Sequence, residues 1–394
     1  MLNTVFPTWP SYSRDEADAV SRVLLSNKVN YWTGEECRKF EKEFAECTGC
    51  SYAISLSNGT LALEVALRAL EIKDGDEVIV TPRTFIASAS SIVGCGGVPV
   101  FADVDRDSQN ITAETISRVL SKKTRGIICV HLAGMPCDMN PIMRLANQNK
   151  LFVIEDCAQA HGGQYKGHPL GSIGDIGAWS FCQDKIMTTG GEGGMVTTNN
   201  SELWSKIWSY KDHGKSWNAV YSRKQTSLFR WVHDSFGSNY RMMEMQAVLG
   251  RIQLHHLAEW KKKRQINLAS IMSFAKTIPG LRVPVIPEWA DHAAYKCYVF
   301  VEPNVLKKNW SRDRIITEIY DLGVPCYSGT CSEIYLEKAF DYTGWQPAER
   351  LPAARELGET SMMFLVHPTL TNVHIEKTCK VLKHVMELAV LSRL

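Results

Sequence analysis

No apolar run in this chain is long enough to cross a bilayer, which takes about 20 residues. Residues 1–10 lack the basic segment and following apolar stretch of a secretory signal, so a cytoplasmic protein with no membrane partner is expected. Charge of one sign is also scarce. Charged residues make up 22% of the chain and the formal net charge is +2, too balanced to hold nucleic acid or another polyanion. No Gly-x-Gly-x-x-Gly opens a helix after a strand, which argues against a dinucleotide-binding fold. There is no internal repeat and no appended DNA-binding segment. The 12 cysteines include a C-x-x-C pair, Cys47 and Cys50, and a close pair, Cys326 and Cys331. No further cysteines or histidines at matching spacing complete a zinc or iron–sulfur set, so no metal is expected. Cys95, Cys129, Cys157 and Cys182 lie in or beside apolar runs, where cysteine acts as a small core residue.

With 394 residues the chain exceeds one comfortable core and suggests two lobes. We expect a large lobe over 1–260 and a smaller one over 261–394, divided where Lys261, Lys262, Lys263 and Arg264 form a basic run that reads as a solvated helix face. Helical patterns cover 11–26, with Ala17, Val20, Val23 and Leu24 on one face, and 35–49, with Phe40 and Phe44 four apart. Strand-like runs at 52–57, 76–81, 98–102, 126–131, 152–154 and 176–181 alternate with helical stretches such as 61–70, 113–120 and 141–148. That alternation predicts an α/β fold with a mostly parallel sheet covered on both faces. A long helix is expected to open at 237–241, with Met242, Met245, Leu249, Ile252 and Leu257 in the core. Beyond it, a strand at 294–301 and helices at 312–322 and 374–391 suit a small α/β lobe.

The stretch from 154 to 195 carries the chemistry. An apolar strand ends in Glu155 and Asp156, and a second ends near Ser180. Buried parallel strands deliver side chains in this way to the carboxyl edge of a sheet. Lys185 follows, then Gly190, Gly191, Gly193 and Gly194, a turn able to pack closely against something flat or phosphorylated. A lysine and a buried acid at neighbouring strand ends suit pyridoxal phosphate. That cofactor needs an amine for a Schiff base and a carboxylate to keep its pyridine nitrogen protonated. Lys185 and Asp156 would fill those roles. A strand, Asn58-Gly59-Thr60 and a helix start make an anion site, although Asn and Thr are also common helix caps. His131 and His161, each at a strand end, are read as hydrogen-bonded structural residues.

The segments EDCAQAHGG (155–163), GSIGDIGAWSF (171–181), DKIMTTGGEGGM (184–195) and FGSNYRMMEMQA (236–247) resemble the nucleotide-sugar aminotransferase family, the DegT/StrS class. The match keeps its order along nearly the whole chain. The resemblance implies the fold type I of pyridoxal-phosphate-dependent transferases. It places Gly59, Thr60 and Ser180 at the cofactor phosphate, Phe85 on the pyridine face, Gln159 at the ring or its phenolic oxygen, and Lys185 as the catalytic residue. Asn239 would reach the cofactor phosphate of a partner subunit, making a homodimer with shared active sites. Substrate candidates are Tyr31 and Trp32, in an aromatic loop that either anchors by packing or lines a sugar pocket. Arg223 and Arg230 belong to a basic loop suited to a diphosphate, and Arg241 lies close to Asn239. Arg83 stands where a small or aromatic residue is expected, and either meets substrate phosphate or pairs with an acid.

The implied reaction moves an amino group from an amino acid, with glutamate as expected donor, to a nucleotide-linked keto-sugar. Residues 30–34, 182–194 and 331–340 look most like enzymes aminating carbon 4 of UDP-4-keto-6-deoxy-N-acetylglucosamine for surface glycans. A dTDP- or GDP-linked 3- or 4-keto-sugar is the alternative. A dehydratase on the same fold would carry histidine at the Lys185 position, and a non-catalytic regulator would not need the lysine, acid and glycine turn. Ser328–Tyr335 departs from the family's common pairings there, which bears on substrate choice.

Overall fold

The computed structural model describes residues 4–221 and 229–391. The sequence of strand-forming runs produces a seven-stranded sheet: β1 (Tyr52–Leu56), β2 (Glu77–Val80), β3 (Val98–Phe101), β4 (Thr124–Val130), β5 (Phe152–Asp156), β6 (Ile176–Ser180) and β7 (Gly194–Thr198). Their order is β1-β7-β6-β5-β4-β2-β3. Neighbours from β6 through β5, β4 and β2 to β3 are parallel. β7 alone runs the other way, antiparallel to both β1 and β6. β1 therefore opens its carboxyl end at the same edge as β5 and β6. The sequence pattern did not reveal β7, because the glycine turn before it dominates that stretch.

Side chains alternate across the sheet, as the two-residue period of a strand requires. Ile79, Ile127 and Val153 enter the core on one face, and Val78, Val80, Ile128 and Ile154 that on the other. The helices α1 (Arg14–Leu25), α2 (Glu36–Thr48), α3 (Gly59–Ala69) and α4 (Ala87–Gly94) follow in chain order. In α2, Phe40 and Phe44 are buried with ring centroids 5.8 Å apart, as their spacing predicts. In α1 the expected face is wrong. Glu16 and Ala19 are its buried residues, while Leu24 is exposed. Glu16 closes a capping box with Ser13, and its Oε1 accepts from Gln253, so hydrogen bonding and not apolar burial sets the helix rotation.

The long helix α5 (Glu244–Ala275) starts three residues later than 241, because Arg241 is still held in an extended bridge to Leu56. Residue 260, the expected lobe boundary, falls inside it. Beyond α5 a second, antiparallel sheet forms from β8 (Leu281–Arg282), β9 (Lys296–Val301), β10 (Cys326–Tyr327) and β11 (Ser361–Leu365) in the order β8-β9-β11-β10. It shares a core with α5 and α6 (Asn372–Ala389) through Ile271, Val299, Met362 and Leu382. The later residues do not all stay with it. Ala290–Asp291 pairs with Gln164–Tyr165, and Tyr335 and Phe340 pack on Phe101 of the main sheet.

All twelve cysteines are unpaired. No helix among the described residues is long and apolar enough to cross a membrane.

Candidate active site

Asp156 ends β5 beside Ala178 of β6, with its side chain buried at the carboxyl edge of the sheet. Its Oδ2 accepts from Ser88 Oγ at 2.8 Å and its Oδ1 from the Ala158 amide at 3.1 Å. Burial pushes this carboxyl above its ordinary value, against the opposing pull of Ser88, the Ala158 amide and Lys185. Lys185 lies in the turn after β6, where its amide donates to the Cys182 carbonyl at 3.1 Å. Its Nζ stands 3.9 Å from Asp184 Oδ1 and 5.3 Å from the centre of the Tyr295 ring. Trp9 Nε1 donates to the Lys185 carbonyl at 2.7 Å, so the N-terminal segment braces the turn.

Gly59 opens α3, and Asn58 caps the helix by accepting from the Leu61 amide at 2.9 Å. A Cβ on Gly59 would lie 2.5 Å from Ser180 Cβ, so this position admits glycine alone at the observed spacing. Ser180 and the start of α3 thereby touch. In the glycine turn, Gly190 and Gly191 have φ of 90° and 126°, where a side chain is strained. Gln159 Oε1 accepts from the Ala133 amide at 2.8 Å, which fixes it beside the end of β4. Phe85 follows β2 and is 67% exposed at the same edge, so it is not a core residue.

The substrate candidates divide. Tyr31 is 1% exposed, and its hydroxyl sits between Glu41 Oε2 at 3.1 Å and Trp208 Nε1 at 3.3 Å. These contacts are those of the packing alternative for Tyr31. Trp32 is half-buried, with Lys215 Nζ 4.2 Å above its ring. Arg83 is fully buried and meets no acid; its Nε and Nη2 donate to Gln109 Oε1 at 3.1 and 2.9 Å. The acid partner offered as an alternative is replaced by an amide, and Nη1 has no hydrogen-bond partner among the described residues. Arg241 Nη1 donates to the buried Asp212 at 2.6 Å. Asn239 is exposed two residues before it. Arg230 is half-buried between exposed Phe229 and Trp231, and Arg223 lies outside the described residues.

Both histidines are buried. His131 Nδ1 accepts from the Cys137 amide at 3.1 Å, which leaves Nε2 to donate to Glu155 Oε2 at 3.0 Å. Glu155 also accepts from the amides of Gly171, Ile173 and Gly174. His131, Glu155 and Cys157 lie close enough to suggest a metal set, but these donors already occupy the ring nitrogens and the carboxylate. His161 is buried against Trp179 and Phe181, and burial holds its pKa down to about 3. Ser88, Asp184 and Tyr295 escaped sequence reading. Ser88 lies on α4, whose small residues carry no helical hydrophobic signal, and Tyr295 reaches the site from 110 residues downstream of Lys185.

A large, mostly parallel sheet flanked by helices, with these residues at its carboxyl edge, defines a fold type I transferase of the pyridoxal-phosphate-dependent class. The chain belongs to the DegT/DnrJ/EryC1/StrS aminotransferase family, whose model matches residues 10–383. It is 42% identical over 377 residues to a GDP-perosamine synthase of Escherichia coli O157:H7, covering 94% of this chain and 95% of that protein. It is 34% identical to a UDP-N-acetyl-3-dehydro-alpha-D-glucosamine 3-aminotransferase of Acidithiobacillus ferrooxidans, covering 95% and 94%. The crystal structure of an aminotransferase from Psychrobacter cryohalolentis superposes with a TM-score of 0.95 at 61% identity, covering 97% of this chain and 99% of that one.

Proposed function

We propose that this aminotransferase uses pyridoxal phosphate to move an amino group from an amino acid, glutamate, to the keto carbon of a nucleotide-diphosphate-linked sugar. The observation that carries it is the convergence of Lys185, Asp156 and the Gly59–Ser180 contact at one sheet edge. These residues fit the cofactor. Asn58 takes the Leu61 amide, leaving those of Gly59 and Thr60 at a helix start for its phosphate. Asp156, costly to ionise where it is buried, is suited to a cationic ring nitrogen. When bound, pyridoxal phosphate supplies an electron sink for the pair left as a proton departs from the amino-bearing carbon.

The chain's own residues do the rest. Lys185 Nζ would hold the cofactor and would carry the proton between substrate carbon and cofactor carbon, a role that needs a neutral amine. Asp156 holds the ring nitrogen protonated, with Ser88 and the Ala158 amide fixing its two oxygens. Phe85, exposed beside these groups, covers the ring face. In a homodimer Asn239 of one subunit would reach the cofactor phosphate of the other, and Trp32, Arg230 and Arg241 are the candidates for holding the substrate diphosphate.

Residues 30–34, 182–194 and 331–340 favour carbon 4 of UDP-4-keto-6-deoxy-N-acetylglucosamine. The relatives named GDP-perosamine synthase favour a GDP-linked sugar. The test is a half-reaction followed through the visible absorption of the bound cofactor. Glutamate is added to the holoenzyme until the band is lost. UDP-, GDP- and dTDP-linked 3-keto and 4-keto sugars are then added singly. Recovery of the band with one of them supports the reading and identifies the acceptor. A protein whose band glutamate leaves unchanged overturns glutamate as donor, and one that no keto-sugar restores overturns the acceptor class.

A further inference from the structure

Arg264 belongs to the basic run that reads as a solvated face, yet it is 1% exposed. Its Nη1 donates to the Tyr295 carbonyl at 3.3 Å and its guanidinium lies 5.0 Å from the Trp9 ring. Nε and Nη2, which form one edge of the guanidinium, are buried without a partner. Arg264 lines a cavity of about 290 Å³ together with His367, Lys296, Tyr295 and Asp184. His367 Nε2 is likewise buried and unpartnered, because its Nδ1 pairs with Thr369 Oγ1 at 2.8 Å.

Charge in the cavity does not balance. Among the described residues Asp184 is the one acid lining it. That carboxylate already accepts from the Tyr295 hydroxyl and stands 3.9 Å from both Lys185 Nζ and Lys296 Nζ. Asp184 acts on Arg264 through its charge, but among the described residues no acid lies within ion-pair distance of the guanidinium. Burial holds the Arg264 guanidinium down to about 9. Burial likewise holds Lys296 down to about 8, with Asp184 opposing and the Arg264 and Lys185 charges adding to the fall. A buried cation with an open donor edge is costly unless an anion completes it. The cavity also adjoins the chemistry, since Asp184 precedes Lys185 and Trp9 touches both Arg264 and the Lys185 carbonyl.

We propose that this cavity receives a carboxylate of the amino donor, gripped side-on by Nε and Nη2 of Arg264. Two parallel donors match two carboxylate oxygens, and His367 and Lys296 add charge from the other walls. The donor's amine is then directed toward Lys185. This assignment rests on the aminotransferase reading. A sugar diphosphate shares the anionic chemistry, so the experiment separates the two.

Glutarate, a dicarboxylate with no amine, is titrated into the holoenzyme by calorimetry, for wild type and for Arg264→Gln. The glutamate and keto-sugar dependences of the two half-reactions are measured alongside. Loss of charge-assisted hydrogen bonds should weaken glutarate at least about tenfold and raise the glutamate requirement as much, with the keto-sugar KM unmoved. Lys296→Gln, at a less buried wall, provides the same reading should Arg264→Gln fail to fold. Equal glutarate binding in wild type and variant overturns the proposal. So does a rise confined to the keto-sugar KM, which would make this a diphosphate site. If glutarate binding depends on Arg264 while glutamate transfers no amine, the pocket stands and the choice of donor fails.

Discussion

Ser88 Oγ donates to Asp156 Oδ2 at 2.8 Å, the one side-chain donor on that buried carboxylate among the described residues. Burial outweighs it, and the folded-state pKa of Asp156 is raised. For an acid with a raised folded pKa, stability is full below the unfolded pKa and is lost as pH rises through the folded one. Asp156→Asn should therefore raise the Tm of the cofactor-free protein at pH 7 to 8 relative to wild type. The gap should close as pH falls below about 4, where both side chains are neutral. The same variant should lose amino transfer at every pH. Thermal scans of the cofactor-free proteins across pH check the first part, and a Tm below wild type at neutral pH would count against it.

Lys185→Ala should retain cofactor, measured by equilibrium dialysis, because the phosphate cradle at Gly59 and Ser180 is untouched. Amino transfer should fall by at least about 10³-fold, within the range expected when a positioned proton-transfer group is removed. Full activity in this variant would refute Lys185 as the catalytic residue.

Gly59→Ala should be destabilising, since its Cβ would stand 2.5 Å from Ser180 Cβ. Overpacking of this kind costs about 1–3 kcal/mol. Cofactor affinity should fall with it, because α3 must retreat from the sheet edge. Ser180→Gly in the same chain removes the nearest opposing atoms but leaves the residue 180 Cα at 3.1 Å, so the double variant should recover part of the lost Tm while cofactor binding stays weakened by the missing hydroxyl. Failure of the double variant to recover Tm would place the clash elsewhere.

The parallel strands were legible because they are short apolar runs, most of them buried on both faces, and their ends pointed to Asp156 and Lys185. What escaped is what sequence periodicity does not carry. Strand β7 lies behind a glycine turn. Helix α1 is rotated by the Glu16 hydrogen bonds with Ser13 and Gln253, against its apolar pattern. In sequence Arg83 reads as a contact to substrate phosphate or to an acid, and Arg264 as a solvated charge. One is buried under a glutamine and the Tyr298 ring, the other beside Trp9, and those contacts come from residues distant in the chain.

Phe85 offers a separation of folding from binding. It is 67% exposed, so Phe85→Ala should leave Tm nearly unchanged, as surface substitutions do within about 0.5 kcal/mol. An aromatic stack contributes about 0.5–1.5 kcal/mol beyond the area it buries, so the cofactor Kd should rise several-fold to about tenfold. Unchanged cofactor affinity would remove Phe85 from the ring face.

Glu155 sets the acid limit of the fold. Burial would raise its carboxyl, but the His131 hydrogen bond and charge and the amides of Gly174 and Gly171 outweigh it, and the net direction is downward. A depressed acid contributes stability that is present above its unfolded pKa and lost as pH falls through the folded one. Wild-type Tm should accordingly drop as pH falls below about 4. Glu155→Gln keeps the size but turns an amide toward donors that need an acceptor. Breaking a buried pair of this kind costs roughly 3–5 kcal/mol, so Tm at pH 7 should fall by several degrees. Below pH 4 the two proteins should converge, because protonation does to wild type what the substitution has already done. Asp156 follows Glu155 on β5, and its carbonyl accepts the His131 amide at 3.1 Å. Loosening Glu155 should thus also weaken cofactor binding at neutral pH, and a variant with lowered Tm but unaltered cofactor affinity would separate the two acids.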